Sequence, residues 1–274
     1  MLKARIITAL VLLPIVLACL FAGSSLLWGG FALFALTVGA WEWGRFARLE
    51  SAESKVFIAS FALMGGALLA LPPAITVVWA LVFDIFALVF WLAVIPLWLA
   101  RKWALAPKWR AAIVGMLVLM SALSAVTRLH ALTDGPLVLL MTLAIAWIAD
   151  VSAYFAGRAF GKRKLAPSIS PGKSWEGVYG ALIAVTLYAL ALHQLNVPVY
   201  GKLPLYVLIP VFLLLTAVSV MGDLFESLLK RMVGMKDSSQ LLPGHGGVLD
   251  RVDSLLALAP LSVSLLFFYA RFAP

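Results

Sequence analysis

The chain has little of what a soluble protein is built from. Only 12% of its 274 residues are charged, against roughly 25% in a soluble domain. That shortage excludes a water-exposed surface of ordinary size, and a 64% hydrophobic content takes its place. There is one cysteine, Cys19, inside the first apolar run. No intrachain disulfide can form, and no cysteine-based metal site can be built. Acidic residues are scarce as well, 12 against 21 Lys and Arg. The resulting charge of +9 could suit nucleic acid, but in so apolar a chain basic residues are first an orientation signal, so no nucleic-acid partner is expected.

Apolar runs long enough to cross about 30 Å of hydrocarbon at about 1.5 Å per residue fall at 6–22, 26–41, 56–72, 75–99, 111–127, 136–157, 177–195, 203–222 and 253–270. The sequence therefore predicts an all-α, polytopic integral membrane helical bundle of about nine transmembrane helices, folded as a single domain over 1–274. The run 26–41 is short, and 75–99 is long, with Asp84 near its middle and Pro96 near its end. Met1 to Gly23 has the basic-then-apolar form of a leader, with Ala18-Cys19 as a processing point. Leu17 is bulky for processing and many spans follow, so the segment is read as an uncleaved first span. With sides alternating from a cytoplasmic N-terminus, all but three of the 21 Lys and Arg fall on one side, the exceptions being Arg128, Lys202 and Arg271. This bias predicts a cytoplasmic N-terminus and an external C-terminus.

Two segments on the cytoplasmic side are longer and hold most of the polar chemistry, 158–176 and 223–252. The richer stretch reads GDLFESLLKRMVGMKDSSQLLPGHGGVLDRVD, from Gly222 to Asp253. If the preceding helix continues, Asp223, Ser227 and Lys230 share one face, with Glu226 near it. Asp250 and Asp253 stand three apart where the last helix begins, a place where helix capping is the alternative reading. Between the acidic pairs, Pro243-Gly244-His245-Gly246-Gly247 either makes a plain turn or lets backbone N–H groups approach phosphate oxygens unobstructed. Lys230, Arg231, Lys236 and Arg251 flank it. Carboxylates can hold Mg²⁺ through hard oxygen ligands, while Lys and Arg balance a polyphosphate.

Upstream, Asp150, Tyr154 and Arg158 are spaced along one face near the cytoplasmic end of the sixth span. An ionisable group at that depth points to function, with an Asp150–Arg158 structural pair as the alternative. The following loop, GRAFGKRKLAPSISPGKSWEG, is basic enough to be a solvated positive-inside loop. That does not account for Ser170, Lys173 and Glu176 set among turns and beside Trp175, which suits a phosphate or lipid-headgroup contact.

These residues resemble the phosphatidate cytidylyltransferase family, also called CDP-diacylglycerol synthase. The family signature reads here Ser227, Lys230, Arg231, Lys236, Asp237, His245, Gly246, Gly247, Asp250, Arg251 and Asp253. SPGKSWEG is similar to a second family block, and the tract around Asp150, Tyr154 and Gly157 to a third, although Val151 and Ser152 stand where Thr or Ser and then Gly are usual. The likeness is strongest over 147–253 and softer before Trp147, where Ala40-Trp41-Glu42-Trp43 carries it and no site is assigned.

The resemblance implies nucleotidyl transfer, in which CTP and phosphatidate give CDP-diacylglycerol and pyrophosphate at the inner membrane, with the site facing the cytoplasm. It implies Asp223 and Asp250 as Mg²⁺ ligands, supported by Asp253 and Glu226, and leaves a second, monovalent cation open. Lys230, Arg231, Lys236 and Arg251 are the expected polyphosphate clamp, and His245 the expected partner of pyrophosphate. Asp150, Tyr154, Arg158, Ser170, Lys173, Glu176, Ser227, Asp237, Gly246 and Gly247 are the expected substrate contacts. Family members are expected to be homodimers among membrane lipids. Two other readings stay open: an ion-coupled transporter using Asp84 and Asp150, and a CTP-dependent lipid-alcohol kinase.

Overall fold

The computed structural model describes residues 2–105 and 107–272, without the side chains of 2–6, 9, 73, 74 and 272. The chain runs as α1 (Leu2–Phe21), α2 (Ser25–Phe46), α3 (Ser51–Ala70), α4 (Pro73–Val89), a π-turn (Phe90–Val94), α5 (Ile95–Arg101), α6 (Lys108–His130) and α7 (Gly135–Phe160). A hairpin of β1 (Lys164–Ala166) and β2 (Ser170–Ser174) follows, then α8 (Trp175–Gln194), α9 (Leu205–Met232) and α10 (Leu249–Phe272). Among the described residues, eight helical segments are long and apolar enough to cross a membrane, and Leu10–Phe21 is a shorter apolar helix. The chain is a polytopic helical membrane protein. The antiparallel β1–β2 hairpin and an isolated bridge between Leu242 and Gly246 are small departures from an all-α fold.

Local chemistry explains the breaks between rods. Ser24 and Ser174 cap α2 and α8, each hydroxyl accepting an N–H three residues on, from Leu27 and Gly177 at 3.2 Å. The long run 75–99 is a single rod whose π-turn precedes Pro96, so the missing proline N–H is absorbed without breaking the span. α9 continues to Met232, ten residues past the predicted end of its apolar run. It stops where Gly234 adopts φ +72°, with Gly234 N–H on Arg231 O at 3.1 Å and Met235 N–H on Lys230 O at 2.8 Å. That paired closure requires a left-handed residue, which glycine supplies at least cost.

α6 and α10 form the centre of the bundle, with α2, α4, α7 and α9 around them; α1 and α3 lie outside against α2, and α8 fits between α7 and α9. Burial of both faces suits this core, since lipid gives little drive for helices to associate and packing must do it. Gly115 of α6 leaves room for the Trp43 ring, whose Nε1 donates to Ala111 O at 2.9 Å. An aromatic collar then fixes the end of α9. The Phe225 ring has Trp98, Phe90, Trp91 and Trp43 at 5.3, 5.8, 5.9 and 6.3 Å between centroids, within the range of favourable aromatic pairs. Glu226, the next residue, is thereby held in place.

Asp84 is not free for an ion path. It makes a two-pronged bond to Arg128, at 2.8 and 3.0 Å, between α4 and α6.

Candidate active site

The end of α9, the start of α10 and the β1–β2 hairpin meet at one end of the bundle. Thr8 of α1 donates to Pro243 O at 3.0 Å, and Arg48, in the turn after α2, to Met232 O at 3.2 Å, so the N-terminal helix and the turn after α2 reach the same face. α9 and α10 come into close contact at Gly222, where a Cβ would lie 2.7 Å from the Asp253 carbonyl oxygen. Only a residue without a side chain permits this approach. The crossing places Asp223 beside Asp253.

One charge group forms around Lys173 of β2. Its Nζ lies 2.6 Å from Asp223 Oδ2, and Asp223 Oδ1 accepts from Ser227 Oγ at 3.2 Å. The Asp253 charge acts on Asp223, Lys173 and Asp150, and that of Asp150 on Lys173, Asp223 and Arg251. One ammonium thus faces three carboxylates.

The second group forms around Lys230. Its ammonium lies between Glu226 Oε2 and Asp250 Oδ1, 2.5 Å from each, and is nearly withdrawn from solvent. Two carboxylates share one buried cation, and a buried carboxylate is costly unless further donors meet its oxygens. Asp250 Oδ2 finds them in Ser238 N–H (2.8 Å), Gly247 N–H (2.8 Å) and Ser238 Oγ (2.9 Å). Glu226 Oε1 is buried with no hydrogen-bond partner among the described residues.

Lys230 is therefore held inside this cluster. It starts on the predicted face with Asp223 and Ser227, but its ammonium reaches Glu226 and Asp250. Arg231 ties α9 to the hairpin through Ile169 O at 3.4 Å, and Arg251 Nε bonds His245 O at 2.9 Å. Lys236 is exposed. His245 Nδ1 is buried without a partner among the described residues. Asp237 accepts from Gln240 at 3.1 Å, and Gly246, at φ +80°, turns the chain beneath Asp250.

Asp150, Tyr154 and Arg158 all lie on the exposed side of α7, as their spacing predicts. Arg158 bonds Tyr154 Oη at 3.3 Å, in place of the Asp150–Arg158 pair. Ser170 pairs with Ala166 in the hairpin. Glu176 accepts the N–H groups of Lys162 and Arg163 at 3.1 and 3.2 Å, which shapes the loop that presents Lys173.

One residue of this region was not assigned from sequence. Glu42 of α2 is fully buried and accepts from Ser239 Oγ (2.6 Å), Leu249 N–H (2.7 Å), Val248 N–H (2.9 Å) and Ser238 Oγ (3.1 Å). The visible signal was a carboxylate in an apolar run, between Trp41 and Trp43.

Among the described residues, no group of three or more His, Cys, Asp or Glu is arranged to hold a metal ion. Mg²⁺ takes one or two carboxylates and completes its shell with water and phosphate oxygens, so Asp223 and Asp250 are the residues whose chemistry would suit it. Among the described residues Asp223 meets the Lys173 ammonium through Oδ2 and the Ser227 hydroxyl through Oδ1, so Oδ1 is the oxygen that carries no cation. Asp250 is available through Oδ1 alone, where Lys230 already places positive charge.

A helical membrane bundle with carboxylates and cations gathered at one end, on two crossing helices and a polar hairpin, defines a membrane protein equipped to bring anionic groups together. Residues 3–269 match the Cytidylyltransferase family, and the chain belongs to it. It is similar to the phosphatidate cytidylyltransferase of Pseudomonas aeruginosa, 45% identical over 277 residues and 97% of each chain. It is also similar to that of Haemophilus influenzae, 38% identical over 98% of this chain and 99% of the other. A third relative, from Brucella melitensis, is 37% identical over 95% and 91%.

Proposed function

We propose that the chain makes CDP-diacylglycerol from CTP and phosphatidate. A phosphatidate phosphate oxygen attacks the α-phosphorus of CTP, the bond to the bridging α,β-oxygen breaks, and pyrophosphate leaves with that electron pair. The phosphate nucleophile is already anionic, so no strong base is needed. The barrier lies in bringing anions together and in the charge of the leaving group, and positioning with charge compensation lowers it.

The observation that carries this reading is the pair of charge groups around Lys173 and Lys230, in a chain of this family. Lys173 and Arg251 orient phosphate oxygens near Asp150, Asp223 and Asp253. Lys230, Arg231 and Lys236 hold the polyphosphate, with His245 beside the pyrophosphate. Asp223 and Asp250 are the residues that would hold Mg²⁺, and a divalent ion there would neutralise charge and lower the repulsion between the two anions.

The Lys and Arg bias supports a site on the cytoplasmic side of the inner membrane, where CTP is available and the lipid reaches the helices laterally. A homodimer accords with the family resemblance. The test uses purified protein, CTP labelled at the α-phosphate, phosphatidate and Mg²⁺. The label moves into the organic phase with equal release of pyrophosphate, and EDTA stops it. Formation of CDP with a phosphorylated alcohol, or no need for phosphatidate, overturns the proposal.

A further inference from the structure

Glu42 lies far from the signature segment in sequence and none of the functional assignments uses it. Its carboxylate is fully buried, has no Lys or Arg paired with it among the described residues, and takes its four hydrogen bonds from one segment of the chain, residues 238–249. The donors fall at the two ends of that segment. Ser238 and Ser239 leave the neighbourhood of α9, while Val248 and Leu249 enter α10. Between them run the turn residues and His245, with Leu242 N–H on Gly246 O at 2.8 Å closing the tip. Glu42 therefore ties the neck of the loop.

The first N–H groups of a helix have no partner within it, and an anion there is stabilised by those donors and by the helix dipole. Glu42 meets that need for α10 from another helix. Neighbouring contacts reinforce the arrangement. Arg45, one turn further along α2, donates to Ser238 O. A Cβ on Gly247 would collide with the Glu42 carboxylate and with Ser238 Oγ, so the chain passes there only as glycine.

The link to Asp250 runs through Ser238. Its backbone N–H and its hydroxyl both lie within 2.9 Å of Asp250 Oδ2, and the hydroxyl is also 3.1 Å from Glu42 Oε2. One hydroxyl proton serves two carboxylates, so the rotamer of Ser238 and the seat of Asp250 depend on where Glu42 stands.

We propose that Glu42 is a positioning residue for cytidylyl transfer. By clamping both ends of the loop 238–249, it sets the orientation of Asp250, and through Asp250 that of Lys230. The inference rests on the role proposed above for Asp250 and Lys230, and the experiment separates the two.

Full-length protein carrying Glu42→Gln, Glu42→Asp, Ser239→Ala or Asp250→Asn is purified, and kcat and KM are measured on the monodisperse folded fraction. Gln has the shape of Glu but points an NH₂ at N–H donors. Expected for Glu42→Gln is a kcat loss of about 100-fold, the scale of a misplaced reacting group, with the phosphatidate KM within about threefold. Glu42→Asp, which keeps the charge, recovers part of that loss. Ser239→Ala removes a single tie, so the fold survives; its kcat falls about fivefold or more, the cost of one net hydrogen bond of about 1 kcal/mol. Where Glu42→Gln does not fold, Ser239→Ala decides the matter. Glu42→Gln, or in its place Ser239→Ala, with parental kcat while Asp250→Asn is inactive overturns the inference about Glu42 alone. Parental kcat in Asp250→Asn overturns the reading of the site on which it rests.

Discussion

The Asp84–Arg128 pair offers a quantitative test of how the bundle is held. The two side chains are 16% and 21% exposed, bonded at 2.8 and 3.0 Å. The guanidinium also lies 4.5 Å from the Phe267 ring centroid, which links α4 and α6 to α10. Arg128→Leu leaves the Asp84 carboxylate with no cation beside it among the described residues, in apolar surroundings, which costs about 3–5 kcal/mol when a buried pair loses one partner. Loss of the cation–π contact adds about 1 kcal/mol. Water penetration or protonation of Asp84 offsets part of this, so the expected total is about 3 kcal/mol or more. Replacing both residues by Leu removes both desolvation penalties and brings stability back to within about 1 kcal/mol of the parent. Reversible unfolding in mixed detergent micelles, on the parent, both single variants and the double variant, measures the coupling. CTP-dependent activity of the folded double variant stays near parental, because neither residue touches the charge groups at the end of α9. The reasoning is refuted if Arg128→Leu loses less than about 1 kcal/mol, or if the double variant is no more stable than the worse single one.

Gly222→Ala puts a Cβ 2.7 Å from Asp253 O and 3.2 Å from Ala257 Cβ. Prising α9 from α10 is expected to cost about 1–3 kcal/mol and at least about tenfold in kcat, since Asp223 shifts relative to Asp253; parental kinetics would show the crossing to be slack. Tyr200→Phe takes away the hydroxyl that bonds Thr142 Oγ1 at 2.8 Å and Ser262 Oγ at 3.1 Å in a fully buried site. The same unfolding assay should report a loss of about 1–2 kcal/mol, with kcat unchanged. Removing divalent ions with EDTA is expected to weaken CTP binding by about tenfold or more, as a tetra-anion meets a cluster already rich in carboxylates; titration calorimetry with and without Mg²⁺ measures it, and equal affinities would count against a metal at Asp223.

The rods were legible because hydrocarbon thickness imposes a run length on the sequence, and all nine predicted runs fall on helices. The limits of that signal are visible at its edges. The run 26–41 looked short because Trp41-Glu42-Trp43-Gly44-Arg45 is polar, yet α2 continues to Phe46. Glu42 there is satisfied by donors some two hundred positions away, which no periodicity records. Asp84 had no visible partner because its cation stands 44 positions downstream. The hairpin escaped notice because its strands are three and five residues long. Asp223, Ser227 and Asp150 were placed correctly by helical spacing alone. Lys230 starts on the face that spacing predicts, but the partners of its ammonium were not legible, because a four-carbon stem reaches either side of its helix and Asp250 stands on another helix.

The two charge groups also tie down their lysines before any substrate is bound. Each ammonium is held by a carboxylate whose own position is fixed by backbone: Asp223 by the α9–α10 crossing at Gly222, Asp250 by Ser238 and Gly247. A flexible lysine loses rotamer entropy when it grips a phosphate. Here that cost is met on folding, so more of the binding free energy of CTP and phosphatidate is available at the reacting phosphorus. The carboxylates of Asp223, Glu226 and Asp250 then have a second role besides any contact with substrate: they keep the two ammonium groups in place until the anions arrive.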